Sequence, residues 1–310
     1  MIVKPALWRS GSNVVKMLLA LALAATVGVA GCTGDPDGPA QEETGAQDSA
    51  TAPSLVVASA YTAVPFEAKT GMEPEGFAVD LLARVGDELG ISPTFGDPVH
   101  NEDALPDIEP GTVEDVAASV SAHEATVGLS SIRLSDELPE GVVATDPYLA
   151  LDLAVVVRAD GGVEGVEAIG AGLVAVQGRG GAAAWAAAAL LEAELVTYDD
   201  PNEALSALVS GNVAACVVDE PVVQRFRKVK APGRLAVVET AATDDGFVMV
   251  VAEDNAALAS AINEALAALK VNGTYDELIE TWFGEPSQRG DSGPYTAMPD
   301  GPGDMVFQNG

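Results

Sequence analysis

From Leu55 to Phe283, short apolar runs alternate with segments that are apolar only at helical spacing, and this alternation leaves few architectures open. Residues 55–58, 126–129, 153–157, 173–176, 195–198, 215–218, 235–238 and 247–251 read as strands. Leu81, Leu82, Val85 and Leu89 share one helical face, with Asp80 expected as the cap and Gly90 as the stop. Residues 182–191 read as an Ala-rich helix. Residues 256–269 place Leu258, Ile262, Ala265, Leu266 and Leu269 on one face. Apolar strands that alternate with helices predict an α/β protein with mainly parallel sheet.

The two ends of the chain follow another rule. Lys4, Arg9 and Lys16 precede or open an apolar stretch over 17–30, and no acidic residue occurs before Asp35. That stretch is too short to span a hydrocarbon layer of about 30 Å, but it suits the centre of an export signal. It ends Val29-Ala30-Gly31-Cys32, which resembles the bacterial lipobox, where the cysteine thiol accepts a lipid. Each buried CH₂ of such an anchor contributes roughly 0.8 kcal/mol. The alternative is that Cys32 merely follows an ordinary cleavage site. Residues 1–31 are therefore expected to be a lipoprotein signal peptide, 32–53 a flexible tether and 285–310 a disordered tail. The protein would be exported and held through Cys32 on the extracytoplasmic face of the cell membrane.

Charge excludes whole classes of partner. The chain has 47 Asp and Glu against 15 Lys and Arg, a net charge of −32. Such a polyanion repels nucleic-acid phosphates and anionic lipid head groups, so no nucleic acid is expected as a partner and membrane attachment needs an anchor. The same acidity fits either adaptation to salt or an ordinary secreted protein. If Cys32 carries lipid, Cys216 has no disulfide partner, and its apolar surroundings make it a small buried hydrophobe. His100 and His123 lie in polar segments, and no metalloprotease, P-loop or nucleophile-elbow motif is present. The pairs Asp199-Asp200 and Asp244-Asp245 read as solvated faces. Catalytic residues, metal ions and cofactors are not expected.

Several phrases together resemble the solute-binding proteins of polar amino-acid ABC importers, solute-binding protein family 3. They are Pro65-Phe66-Glu67, the run from Gly76 to Leu82, Thr145-Asp146-Pro147-Tyr148, the run from Gly211 to Asp219, and Asn272-Gly273-Thr274-Tyr275-Asp276 followed by Trp282-Phe283-Gly284. The resemblance implies a two-lobed periplasmic-binding-protein-like fold of type II, with two crossover strands. Residues 54–153 and the return segment 248–284 would form lobe 1, and 154–247 lobe 2. It also implies a monomer that captures an amino acid or related zwitterion between the lobes and docks on an ABC permease. Alternatives on the same fold are a sensing or docking lipoprotein without a transporter, and a dehydratase-like enzyme.

The implied ligand residues are Asp219, Ser130, Ser131, Arg133, Arg179, Gly180, Gly181 and Tyr61. Asp219 falls where the family accepts the ligand's ammonium. The usual carboxylate-binding arginine is replaced by Leu138, so Arg133 is the substitute. The acidic residue after the first strand is replaced by Ala60, and the stacking aromatic by Ala63, with Tyr61 nearby. Residues 174–183 also contain G-x-G-x-x-A between a strand and a helix, the outline of a dinucleotide fingerprint. Export and the flanking pattern argue against that use. The physics transfers, since free N–H groups at a helix start attract an anion, and Arg179 adds a positive charge there.

Overall fold

The computed structural model describes residues 55–69, 71, 73–101 and 109–284. The export signal, Cys32, the tether and the tail lie outside the described residues. The chain opens with β1 (Leu55–Ala58), a hairpin of β2 (Thr62–Ala63) and β3 (Glu67–Ala68), α1 (Phe77–Leu89) and β4 (Pro93–Phe95). The small strands β5 (His100–Asn101) and β6 (Glu109–Pro110) pair with each other. Then come α2 (Val113–Ser121), β7 (Val127–Arg133), β8 (Val142–Ala144) and β9 (Leu149–Ala150). A second sheet begins with β10 (Leu153–Arg158). It is followed by β11 (Leu173–Gln177), α3 (Ala182–Ala189), β12 (Glu194–Tyr198), α4 (Pro201–Val209), β13 (Ala215–Asp219), α5 (Glu220–Val229) and β14 (Leu235–Ala241). Strand β15 (Gly246–Ala252) returns to the first sheet, and α6 (Ala256–Asn272) and α7 (Thr274–Phe283) complete the described chain.

The first sheet runs β4-β1-β7-β15-β8, with β9 also on β15, and the second β12-β11-β13-β10-β14. Strands β4, β1 and β7 are parallel, as are β12, β11 and β13. The crossing strands β10 and β15 run antiparallel to their neighbours, so both sheets are mixed. The result is two α/β lobes joined by two crossings. The parallel strands carry the cleft residues, since the C-terminal ends of β7 and β13 deliver Arg133 and Asp219.

Local sequence explains most of this. Phe77, Leu81, Leu82 and Val85 on α1 have no exposed surface, and each such burial is worth roughly 1.5–3 kcal/mol. Gly90 ends α1 in the left-handed conformation, as expected. Its start departs from expectation: Gly76, not Asp80, precedes the first turn. Gly76 has φ 144, and a Cβ there would lie 2.1 Å from the Phe66 carbonyl oxygen, so only glycine lets the helix begin against β3. Asp80 sits inside the first turn and accepts a hydrogen bond from Trp282 Nε1 at 2.8 Å, tying α1 to α7. On β13 every residue is buried, and burial pushes the Cys216 thiol up to about 12.

The lobes also meet away from the cleft. Arg225 on α5 donates to the Trp282 carbonyl at 3.1 Å and stacks 5.0 Å from its ring. Lys228 donates to the carbonyls of Glu280 and Thr281, both at 2.9 Å. A cation is favourable at these last carbonyls of α7, where the negative end of the helix dipole lies.

Candidate functional site

A cavity of about 670 Å³ lies between the lobes. Ser131, Arg133 and Phe247 line it from lobe 1, and Gln177, Arg179 and Asp219 from lobe 2. Its outer part runs between the β2–β3 hairpin and the face of α5 that carries Arg225, with Lys230 just past the helix end. The size is that of a pocket for a small ligand.

Arg133 crosses the cleft. Its Nη1 donates to Asp219 Oδ2 at 2.7 Å and its Nη2 to Asp219 Oδ1 at 3.3 Å, while Nε donates to Asp245 Oδ2 at 2.7 Å. The residue is 3 % exposed and Asp219 4 %. Burial opposes the charge on Arg133, but the two carboxylates outweigh it and raise the guanidinium's affinity for its proton. Burial likewise pushes the Asp245 carboxyl up, yet Arg133 and the Ser135 hydroxyl and N–H hold it below the usual range. The guanidinium also lies on Gly180, where a Cβ would meet Nη2 at 2.3 Å. Gly180 has φ +73, so the turn needs glycine for conformation as well as for space.

Neighbouring groups fix this arrangement. The Asp219 backbone N–H donates to Gln177 Oε1 at 2.8 Å, and Gln177 Nε2 donates to the Arg179 carbonyl at 3.0 Å. Arg179 Nη2 donates to Asp136 Oδ2 at 2.8 Å, a second ion pair between the lobes. Asp136 Oδ2 also accepts from the Arg133 backbone N–H at 2.9 Å. Of the five N–H donors of a guanidinium, Arg133 uses three on these carboxylates, leaving two for a ligand.

Behind the lobe 1 wall, Glu67 is 1 % exposed and accepts from the Ser131 hydroxyl at 2.7 Å. Burial raises its carboxyl from 4.5 to about 8, although Ser131 and Arg179 pull the other way. The phenol of Tyr61 is raised to about 12, and that of Tyr148 is raised well above its ordinary value, each mainly by burial and then by Glu67.

Of the expected site residues, Ser131, Arg133, Arg179 and Asp219 come together around the cavity, and Gly180 touches Arg133. Ser130 turns from the cavity and its hydroxyl accepts from the Ala60 N–H at 3.3 Å, as strand alternation requires of the residue next to Ser131. Tyr61 is buried behind the wall, and Gly181 is an exposed residue at the start of α3. Asp219, expected to accept the ligand's ammonium, lines the cavity and accepts from Arg133 there. One reading needs correction: Asp245 is the second anchor of Arg133 rather than a solvated residue. Glu67 and Gln177 did not stand out as site residues; the signal was a polar side chain within, or at the end of, a buried strand.

The profile of the bacterial extracellular solute-binding proteins, family 3, matches residues 55–285. The chain belongs to this family. Among curated relatives, the glutamine-binding protein GlnH of an ABC transporter in Bacillus subtilis (strain 168) is 23 % identical over 69 % of this chain and 74 % of its own. The histidine-binding periplasmic protein of Salmonella typhimurium is 25 % identical over 72 % of this chain and 84 % of its own. ABC transporter arginine-binding protein 1 of Escherichia coli (strain K12) is 33 % identical, but over only 30 % of this chain and 39 % of the relative. Among solved structures, an ancestral cationic amino-acid solute-binding protein has a TM-score of 0.61 and 24 % identity, over 74 % of this chain and 95 % of that one. The second substrate-binding domain of Lactococcus lactis GlnP in its open conformation has a TM-score of 0.61 at 20 % identity, over 76 % and 97 %. At this identity the structures show the fold, a type II periplasmic binding fold.

The relatives are binding proteins, not enzymes. Leu138 packs partly buried against an apolar cluster of lobe 1, and Ala63 lines the cavity. Arg133 reaches across the cleft to Asp219.

Proposed function

We propose that this protein is the ligand-capturing subunit of an ABC importer, lipid-anchored through Cys32 on the extracytoplasmic face, and that it takes an amino acid or related zwitterion between its lobes. The observation that carries the reading is the interlobe cavity, where Arg133 of lobe 1 meets Asp219 and the Gly180 turn of lobe 2. A ligand that contacts both lobes shifts the open and closed forms toward closure, and the closed form is the one a permease recognises. The two remaining N–H groups of Arg133, Arg179 and the backbone N–H groups at the start of α3 suit a carboxylate. Arg225 and Lys230 in the outer part suit a further polar or anionic group of the ligand. The names of the curated relatives make arginine, glutamine and histidine the first molecules to try.

The experiment is a thermal-shift screen of amino acids, amines and compatible solutes. A ligand at 100 times its Kd should stabilise the protein by about 2.7 kcal/mol. A screen in which nothing shifts the transition would sink ligand capture. Anchoring is tested separately by metabolic labelling with a tagged fatty acid. The Cys32→Ala variant should lose all label, and equal labelling would remove the anchor.

A further inference from the structure

Asp219 and Asp245 both face Arg133, so a further carboxyl near the cavity would favour a cationic group on the ligand. Buried polar atoms almost always have partners, so those without one point to a function. Among the described residues they are Tyr61 OH, Glu67 Oε2 and Tyr148 OH. All three belong to one neighbourhood, since the charge of Glu67 acts on both phenols. Two of the three non-glycine residues with left-handed φ among the described residues, Tyr61 at 51° and Ser131 at 44°, lie beside Glu67. Strain of this kind persists only where the surroundings enforce it, and it gathers at sites. Ser131 lines the cavity and donates to Glu67 Oε1 at 2.7 Å, so the carboxyl lies one hydrogen bond behind the cavity wall.

Building on the capture reading, we propose that Glu67, reached through Ser131, receives the cationic group of the ligand, a small molecule that carries an ammonium or guanidinium. Asp219 then acts as a positioning residue that aims Arg133. The groups around Glu67 are Ser131 on β7, Tyr61 after β1, Tyr148 ahead of β9 with Tyr275 of α7 beside it, and Arg179 across the cleft. Lys69 and Asp97 act on Tyr61. Held as a neutral acid in the empty protein, Glu67 loses its proton when a cation arrives. The O–H bond of the carboxyl breaks and the proton passes to solvent. No other bond changes.

Calorimetry with the twenty common L-amino acids tests this, at pH values from 6 to 9 and in buffers of different ionisation enthalpy. For the tightest binder, the wild-type protein should release close to one proton per ligand at pH 6.5. Its affinity should rise about tenfold per pH unit up to pH 8, as one linked proton requires. Glu67→Gln keeps the size and neutrality of the protonated acid and should fold. At pH 8 it should bind at least about 100-fold more weakly, the factor over which the wild-type affinity rises in two pH units, with no proton release and a flat pH profile. Ser131→Ala leaves the acid in place and should weaken binding while keeping the pH dependence. Wild-type affinity and proton release in Glu67→Gln would overturn the role of Glu67 while leaving ligand capture standing. If no amino acid and no compound of the thermal-shift screen binds the wild-type protein, the capture reading fails and this inference fails with it.

Discussion

Replacing Arg133 by glutamine removes the one cation that holds Asp219 and Asp245 together. Both carboxylates are buried or nearly so, and Asp219 would lose the cation that pairs with it directly. Breaking a buried pair by deleting one partner costs about 3–5 kcal/mol, far above the roughly 0–1 kcal/mol of an exposed pair. For a folded region of this size, that corresponds to a fall of roughly 6–20 °C in Tm. The assay is urea denaturation at pH 7, with the Arg133→Gln/Asp219→Asn double variant closing the cycle. The double variant should recover part of the loss, because the uncompensated charge is gone. The pH dependence has a definite sign. Asp245 is held below its ordinary range when folded, so its contribution is present above the unfolded pKa and is lost as pH falls through the folded one. Arg133→Gln should therefore flatten the acid limb of the stability profile. A loss of less than about 1 kcal/mol would refute the reasoning, because the pair would then be no better than a solvated contact in solution.

Gly180→Ala should cost about 1–3 kcal/mol and weaken any ligand, since the new Cβ meets Arg133 Nη2 at 2.3 Å and the turn has φ +73. Urea denaturation and the ligand screen read both effects. Glu67 holds its proton up to about pH 8 in the folded chain against an ordinary 4.5, so wild-type stability should fall as pH rises between those values, by up to about 5 kcal/mol. Glu67→Gln should remove that slope in chemical denaturation. Cys216, fully buried with its thiol pushed up to about 12, should resist a thiol reagent in the folded Cys32→Ser protein and react at once in urea.

The strands and helices were legible because each is specified by neighbours in sequence. The apolar run 215–218 of β13 and the single apolar face of α1 state their burial without reference to the rest of the chain. The start of α1 was missed at Asp80, because the reason for Gly76 is the carbonyl of Phe66, a contact made only after the hairpin folds back. At the cleft, Ser131, Arg133, Arg179 and Asp219 could each be picked out by type and position. Ser130 could not be separated from Ser131 until the facing of β7 was known.

The sequence by itself thus determined the alternation that makes an α/β chain, the apolar faces that make its buried clusters, and the polar residues at strand ends that border a cleft. These follow from local periodicity and from the free energy of burying apolar surface. Only the tertiary structure decided who pairs with whom. Arg133 and Asp219 are 86 residues apart and Arg133 and Asp245 are 112 apart, on segments joined through two lobe crossings. Nothing local distinguishes Asp245 from the neighbouring Asp244, or gives Glu67 a neutral carboxyl. A side chain's charge state and partner depend on what surrounds it when water is excluded, and here those surroundings come from strands and turns far apart in the chain.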